Sequence, residues 1–319
     1  MSFNLPGHWV WDFWCADDSE QFHLFYLHAP KSLGDPNLRH RNARIGHATS
    51  TDLRNWTNHG QVFDAGAPGT FDGSATWTGS VVKGPDGLWR MFYTGSRFLN
   101  PDNFVNIETI GVATSPDLET WTKQPGPICV ADPKWYETLG TSTWPEEAFR
   151  DPWVFWRDED QLWHMLITAR SNEGPDDERG VVGHATSPDL ETWTVQPPLS
   201  QSGGGFAHLE VFQTVTVDGR DHLVFCSAAA TLSGINSGKT GGVWSMPVGD
   251  VPGPIDPRQA RLLVDQSLYA GRVVKDRAGA AFLMAFHNDR ADGSFEGGIS
   301  DPIALTTDAD GYLTVKSAP

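Results

Sequence analysis

The chain has 319 residues, 11% of them aromatic and 20% charged. Lys and Arg number 23 against 40 Asp and Glu, a formal net charge of −17, which argues against nucleic acid or an anionic membrane as partner. The 33 glycines and 22 prolines indicate an all-β protein with many tight turns. The 14 tryptophans suit a site that stacks on flat apolar faces such as those of sugars.

Targeting and metal-binding patterns are missing from the sequence. Residues 1–8 contain no basic and apolar leader, and no apolar run is long enough to span a bilayer, so we expect a soluble, cytoplasmic protein. Cys15, Cys129 and Cys226 form no CxxC pair, which predicts neither a disulfide framework nor a metal site. No cofactor is expected, and the oligomeric state is left open.

Three similar segments divide the chain into repeats. Residues 45–56, 110–121 and 182–193 each read as a short strand, a turn built on Ser/Thr, Pro or Thr, and Asp, and a tryptophan that opens the next strand. Their glycines at 46, 111 and 183 are offset by 111 − 46 = 65 and 183 − 111 = 72 residues. These offsets suit four-stranded units with long loops.

Further strands complete five such units. The second unit adds strands at 76–82 and 88–94, the fourth has strands at 209–217, 222–227 and 241–245, and the fifth at 267–275, 281–287 and 303–307. The sequence therefore predicts an all-β fold, a five-bladed β-propeller with four antiparallel strands per blade. It is expected to form a single domain over residues 1–319, with no C-terminal β-sandwich.

Acidic residues recur at similar spacings before the third strand of three units. Asp151 lies 183 − 151 = 32 residues before the glycine of that strand, and Glu210 lies 242 − 210 = 32 residues before its own. Asp12 lies 46 − 12 = 34 residues before the first. We therefore expect all three acids at equivalent places on innermost strands, with their carboxyl groups converging on a central funnel. Such crowding raises at least one pKa, as acid–base chemistry requires.

Each acid also has a structural interpretation. Asp12 could cap backbone amides at a strand end, and Glu210 could belong to an ion pair. Arg150 and Asp151 could form a buried salt bridge, although neighbours in a strand point to opposite sides. Four histidines in strand patterns are interpreted as core or surface residues and not as metal ligands: His23, His47, His164 and His184.

Other side chains near the acids are candidates for binding a ligand. Aromatic side chains can stack on a sugar ring, and polar side chains can hydrogen-bond to its hydroxyls. The guanidinium of an arginine can bind two adjacent hydroxyls, and His208 can shift the pKa of Glu210. The substrate-binding candidates are Trp11, Trp14, Trp77, Ser80, Arg150 and His208. Four segments rich in Gly, Pro and Asp are predicted to form the funnel rim: residues 100–106, 132–145, 171–179 and 234–240.

With these residues in view, the chain resembles the glycoside hydrolase clan that holds invertases, levanases and levansucrases. Trp11-Asp12-Phe13-Trp14 is similar to the levansucrase-type nucleophile motif, and Trp77-Thr78-Gly79-Ser80 to the aromatic-Ser-Gly-Ser motif. Arg150-Asp151-Pro152 matches the clan's Arg-Asp-Pro motif. Glu210 lacks the Glu-Cys-Pro or Glu-Arg-Pro context of the known branches.

The resemblance implies a role for each acid. Asp12 would be the nucleophile, Asp151 would bind sugar hydroxyls and stabilise the transition state, and Glu210 would be the general acid/base. The substrate would be a small-molecule or oligosaccharide β-fructofuranoside, or a related furanoside, with a retaining mechanism and transfer as a further outcome. The alternatives are an inverting arabinofuranosidase or xylosidase of the related propeller clan and a non-catalytic carbohydrate-binding propeller.

Overall fold

The computed structural model describes residues 2–141, 144–290 and 292–316, and these form five antiparallel sheets. Each sheet is a meander in which four consecutive strands pair with their neighbours in chain order. The chain is therefore an all-β, five-bladed propeller, as the repeats predicted. Within the described residues, no helix is long and apolar enough to cross a membrane.

The first two blades hold strands β1 to β9. Blade 1 contains β1 (His8–Asp17), β2 (Phe22–Pro30), β3 (Arg44–Ser50) and β4 (Thr57–Phe63). Blade 2 contains β5 (Ala75–Lys83), β6 (Trp89–Phe98), β7 (Asn106–Ser115) and β8 (Thr122–Lys123). A short extra strand, β9 (Glu146–Glu147), pairs in parallel with β7 and brings the following chain against the edge of blade 2.

The remaining blades follow in chain order. Blade 3 contains β10 (Phe149–Arg157), β11 (Leu162–Arg170), β12 (Gly180–Ser187) and β13 (Thr194–Gln196). Blade 4 contains β14 (Glu210–Val217), β15 (Arg220–Ser227), β16 (Gly242–Pro247) and β17 (Arg261–Asp265). Blade 5 contains β18 (Leu268–Lys275), β19 (Ala281–His287), β20 (Ile303–Thr307) and β21 (Leu313–Val315). The strands predicted in units two, four and five are confirmed, with ends that differ by a few residues.

The first strands of the blades surround the central axis. Each of β1, β5, β10, β14 and β18 contacts the next, and β18 contacts β1 to close the ring. Arg272 of β18 is buried at this axis, and its guanidinium donates to the carbonyl oxygens of Phe13, Gly79 and Phe212 on three other first strands. It also lies 5.3 Å from the ring of Trp153 on β10. One buried arginine therefore contacts every other blade.

The repeated segments form the turn between the third and fourth strands. In the first copy, Asp52 Oδ1 accepts hydrogen bonds from the Ser50 hydroxyl and from the backbone N–H groups of Arg54 and Asn55. Leu53 is buried with a left-handed φ of 62°, which its packing holds in place. The second and third copies repeat this turn around Asp117 and Asp189. The repeat therefore encodes a blade connection and not a catalytic feature.

The four histidines that the sequence assigned to the core or the surface, His23, His47, His164 and His184, are buried and form two pairs. His23 Nδ1 lies 2.9 Å from His47 Nε2, and His164 Nδ1 lies 3.0 Å from His184 Nε2. The rings of each pair stack with interplanar angles of 7° and 2°. An aspartate oxygen lies beside the other nitrogen of His23 and of His164. Of the two interpretations, core or surface, the structure places all four in the core.

Candidate active site

A cavity of about 460 Å³ opens at the end of the axis where the first strands begin. Its walls include residues from the start of every first strand, so the ring of blades itself forms the floor. The polar and charged lining residues are Asp12, Asn37, Arg39, His40, Thr78, Asn106, Glu108, Glu146, Arg150, Asp151, Glu210, Tyr269 and Asn288. The three acids selected by spacing are all among them.

A β-bulge interrupts each first strand at the level of the cavity. In β1, β10 and β14, two residues of the first strand face a single residue of the second, which bends the strand and redirects its side chains. Asp12 is the second residue of its bulge, Asp151 is the first, and Glu210 directly precedes one. The expectation of equivalent positions was therefore wrong in detail, because the three acids lie at three successive positions around the bulge, although all three line the same cavity.

Asp12 is held by a neighbouring blade. The hydroxyl of Thr78 on β5 donates a short hydrogen bond to Asp12 Oδ2. Burial raises the pKa of Asp12, and the negative charge of Glu210 adds to this, whereas the Thr78 hydrogen bond and the charges of Arg272 and Arg39 oppose it. The Thr78 hydroxyl thus fixes the orientation of the carboxyl group, and together with the two cations it offsets part of the rise in its pKa.

Asp151 occupies a strained backbone position that hydrogen bonds support. Its φ is 58°, in the left-handed region that a non-glycine residue adopts at a cost of roughly 1–2 kcal/mol. Its backbone N–H donates to the Thr94 hydroxyl at 2.8 Å, and its Oδ2 accepts from the Thr168 hydroxyl at 2.9 Å. Burial raises the pKa of Asp151 to about 7, against the opposing charge of Arg150.

Glu210 is held by two donors from other blades. Arg150 Nη2 donates to Glu210 Oε1 at 2.6 Å, and the hydroxyl of Tyr269 donates to Oε2 at 2.5 Å. Burial, together with the charge of Glu210, raises the pKa of Tyr269 well above its usual value, so the phenol stays protonated as a donor. Glu210 is thereby positioned at the cavity wall with both oxygens engaged.

Arg150 connects the acids. Besides Glu210, it contacts Glu108 at 2.9 Å, Glu146 at 3.3 Å and, through Nε, Asp151 at 3.6 Å. Arg150 and Asp151 therefore approach each other, although neighbours in a regular strand point to opposite sides, because the bulge of β10 begins directly after Arg150. Burial opposes the charge of Arg150, but the carboxylates around it raise its pKa well above the usual value.

The predicted ligand contacts divide into two groups. Trp11, Trp77 and Arg150 line the cavity. Trp14 is fully buried with its ring stacked on Phe25, and the Ser80 hydroxyl accepts a hydrogen bond from the backbone of blade 3. His208 is buried 3.3 Å from Arg150. Direct ligand contact by Trp14, Ser80 and His208 is therefore corrected, since their side chains are enclosed by protein and do not line the cavity.

The rim of the cavity also differs from the rim that the sequence predicted. Of the four predicted rim segments, the described residues of 100–106 line the cavity through Phe104 and Asn106, whereas those of 132–145, 171–179 and 234–240 do not. Ser142 and Thr143, in the second of these, lie outside the described residues. A missed rim segment, the 3₁₀ helix Pro36–Asn42, contributes residues 37, 39 and 40.

Several wall residues escaped the sequence reasoning. Tyr269 directly precedes the bulge of β18, as Arg150 and Glu210 precede theirs, so its place in the fifth unit was a usable signal. Glu108 and Glu146 lie on β7 and β9, neither of which is the first strand of a blade. No spacing rule links a third strand or an added strand to the axis.

Comparison with known proteins adds an independent finding. The model of the glycosyl hydrolases family 32 N-terminal domain matches residues 15–293, which is most of the chain. The chain belongs to this family. The match includes Asp151 and Glu210 and begins just after Asp12. The resemblance inferred from the motifs is thereby confirmed at the level of the clan.

Curated relatives of this family-32 chain include plant enzymes. It is 30% identical over 204 residues to a β-fructofuranosidase, insoluble isoenzyme CWINV6, of Arabidopsis thaliana, covering 63% of this chain and 34% of the relative. It is 30% identical over 189 residues to a fructan 6-exohydrolase of Beta vulgaris, covering 58% and 28%. The matches thus span about a third of these relatives' length.

Solved structures share the family-32 chain's fold. An inulosucrase from Halalkalicoccus jeotgali, bound to kestose, superposes with a TM-score of 0.81 at 22% identity, covering 98% of this chain and 89% of that one. The levansucrase of Bacillus subtilis superposes with a TM-score of 0.73 at 15% identity, covering 98% and 89%. At such identities the likeness shows the propeller fold alone.

Proposed function

We propose that the chain is a glycoside hydrolase that acts on β-fructofuranosides by double displacement. The observation that supports this most is the convergence of Asp12, Asp151 and Glu210 from three blades on one cavity, in a chain of family 32. A pair of carboxyl groups beside a scissile glycosidic bond is the common requirement of glycosidases. The named relatives act on fructofuranosides or fructans, which favours the same substrate class here.

In the proposed reaction, Asp12 attacks the anomeric carbon of the fructosyl unit while Glu210 protonates the departing oxygen. A covalent fructosyl ester of Asp12 forms, and a water molecule or a sugar hydroxyl, deprotonated by Glu210, then attacks it with a second inversion. Asp151 would accept hydrogen bonds from ring hydroxyls. Arg150 and Tyr269 would orient Glu210 through the hydrogen bonds they donate to it.

Replacing Asp12 by Asn tests the nucleophile. The amide can still accept the Thr78 hydrogen bond, so the fold should be retained, but it cannot form the ester. We expect kcat on sucrose or a fructan to fall by roughly three orders of magnitude or more. Substantial residual turnover in a folded Asp12→Asn protein would contradict the assignment.

Transfer to methanol tests the stereochemistry. A double displacement in methanol–water should yield methyl β-D-fructofuranoside, a product that does not mutarotate and can be separated by chromatography. An inverting furanosidase would give the α-anomer or no methyl glycoside. A non-catalytic propeller would bind the sugar and release nothing.

A further inference from the structure

A second cavity, of about 330 Å³, lies against blade 2. No described residue lines both this cavity and the one at the propeller axis, which is called the axial cavity below. The walls come from the loop before β5, the paired strands β6 and β7, and the loop after β8. The lining residues, which define what is called the reverse cavity below, are Gly69, Phe71, Arg97, Ile107, Thr109 and Pro127.

The pairing of β6 with β7 explains why the two cavities are separate. Arg97 pairs with Ile107, and Thr109 is two residues further along β7, so the three side chains lie on one face of the sheet. Asn106 and Glu108 alternate with them along β7 and line the axial cavity from the other face. The reverse cavity therefore lies on the opposite side of a strand that reaches the axial cavity.

Three apolar side chains, Phe71, Ile107 and Pro127, line the reverse cavity. The half-buried ring of Phe71 lies on the sheet where two residues have no side chain. A Cβ atom at Gly95 would lie 2.5 Å from a carbon of this ring, and one at Gly111 would lie 2.7 Å from another. Apolar walls of this kind bind a flat apolar group.

Contacts within the protein hold the walls of the reverse cavity in place. Asp72, which directly follows the phenylalanine of the wall, accepts a hydrogen bond from the Tyr93 hydroxyl at 3.0 Å and forms an ion pair with Lys123 at 2.6 Å. The backbone N–H of Ile128, next to the proline of the wall, donates to the carbonyl oxygen of Ile110 at 2.8 Å. A surface held in advance loses less conformational entropy when it binds a ligand.

Two polar groups of the reverse cavity have no protein partner. Thr109 is 7% exposed, and within the described part of the chain its hydroxyl makes no hydrogen bond. Arg97 is half-buried, and its guanidinium forms neither a hydrogen bond nor an ion pair with any described residue. Taking a hydroxyl or a cation out of water without a partner is costly. A ligand that accepts hydrogen bonds from both groups would remove this cost.

We propose that the reverse cavity binds a small aromatic carboxylate. The carboxylate accepts hydrogen bonds from the Arg97 guanidinium and the Thr109 hydroxyl, and the ring packs against the three apolar side chains of the wall. A carboxylate is favoured over a neutral polar group because its charge neutralises that of the arginine. At about 330 Å³ the cavity is near the lower limit for ligand pockets, which suits a ligand of one ring. This binding is separate from the proposed hydrolysis, so either can fail without the other.

Titration of the purified chain with sodium benzoate, followed by saturation-transfer NMR, tests the proposal. We expect saturable binding with a Kd of about 1 mM. Arg97→Gln should raise the Kd at least about tenfold, because it removes a charge-assisted hydrogen bond, and Thr109→Val should raise it about threefold. Benzamide has the shape of benzoate without its charge, and it should bind the unmodified chain at least about tenfold more weakly.

Two further arginine variants show where the benzoate binds. Arg54→Gln removes an exposed charge that has no ion pair among the described residues, and Arg39→Gln removes a cation of the axial cavity. Both should leave the Kd for benzoate unchanged. Absence of saturable binding, equal binding of benzamide, or an unchanged Kd in Arg97→Gln would overturn the proposal. Loss of binding in Arg39→Gln alone would overturn it as well, because the benzoate would then occupy the axial cavity.

Discussion

The hydroxyl of Thr78 acts directly on the ionisation of Asp12. It donates to the Asp12 carboxylate and so lowers a pKa that burial raises. Thr78→Val keeps the shape of the side chain and removes the donor, so the pKa of Asp12 should rise. Because a nucleophile must be ionised, the acidic limb of the profile of kcat/KM against pH should move up by about one unit.

Ser80→Ala serves as the control for Thr78→Val. Ser80 is on the same strand, but its hydroxyl accepts from the backbone N–H of Val154 and does not line the cavity. Its removal should lower stability somewhat without moving the acidic limb. An unchanged limb in Thr78→Val would mean that Asp12 is not the group whose ionisation limits the rate.

At the scale of single residues, the sequence predicted the three acids but not the hydroxyl groups that form hydrogen bonds with them. Asp12, Asp151 and Glu210 stand out because each interrupts an aromatic or β-branched strand. Thr78 and Thr94 do not stand out, since threonine is an ordinary strand residue. Their roles come from contacts with another blade, which no local pattern contains.

The histidine pairs of blades 1 and 3 predict how stability depends on pH. Burial lowers the pKa of His47 to about 3 and that of His184 to about 4, and the partner imidazoles add to this. In the unfolded chain both titrate near 6.5. The stability that they contribute is therefore complete above about pH 6.5 and is lost as pH falls toward the folded pKa, by up to about 1.4 kcal/mol per pH unit per site.

Urea unfolding between pH 7 and pH 4 measures this dependence. The free energy of unfolding should fall with decreasing pH, and His184→Gln should fall less steeply because one titrating site is gone. His8→Gln is the control, since His8 lies half-buried at the start of β1, outside both pairs. Identical slopes in His184→Gln and the unmodified chain would contradict this account.

The blade elements were largely predictable because their signals are local. The Ser–Asp–Leu turn needs an Asp oxygen and a buried leucine, and both recur visibly in sequence. The bulges were not predictable, since one extra residue in a strand changes neither composition nor alternation over its short length. Because the sequence does not reveal the bulges, it predicted the three acids at one strand register, whereas they lie at three.

Arg272 acts on the whole propeller. Its guanidinium is buried at the axis and bonds carbonyl oxygens of blades 1, 2 and 4, so replacing it by Met leaves several of these acceptors unpaired. We expect Arg272→Met to lower the free energy of unfolding by roughly 3–5 kcal/mol. Chemical denaturation followed by tryptophan fluorescence measures the change.

Arg261→Met is the comparison for Arg272→Met. The Arg261 side chain is 52% exposed on β17, with ion pairs to Asp308 and Asp310 at the surface. Arg261→Met should lower the free energy of unfolding by less than about 1 kcal/mol. Equal losses for the two variants would show that the axial arginine does not join the blades.

The overall architecture followed from counting repeats, because each blade needs a neighbour against which to pack. The repeats did not predict that a buried arginine at the axis, Arg272, joins the blades. Arg272 could have been suspected as a lone cation among Ala270, Gly271, Val273 and Val274 in a buried strand. Nothing in its neighbourhood indicates that its partners come from three other blades.

Product analysis on a panel of furanosides tests the central claim most directly. The purified chain would be incubated with sucrose, inulin, levan, methyl β-D-fructofuranoside and an aryl α-L-arabinofuranoside, with Asp12→Asn beside it. We predict release or transfer of fructose from at least one β-fructofuranoside, no arabinose from the arabinofuranoside, and loss of the activity in Asp12→Asn. Release of arabinose alone, or no product from any β-fructofuranoside, would contradict it.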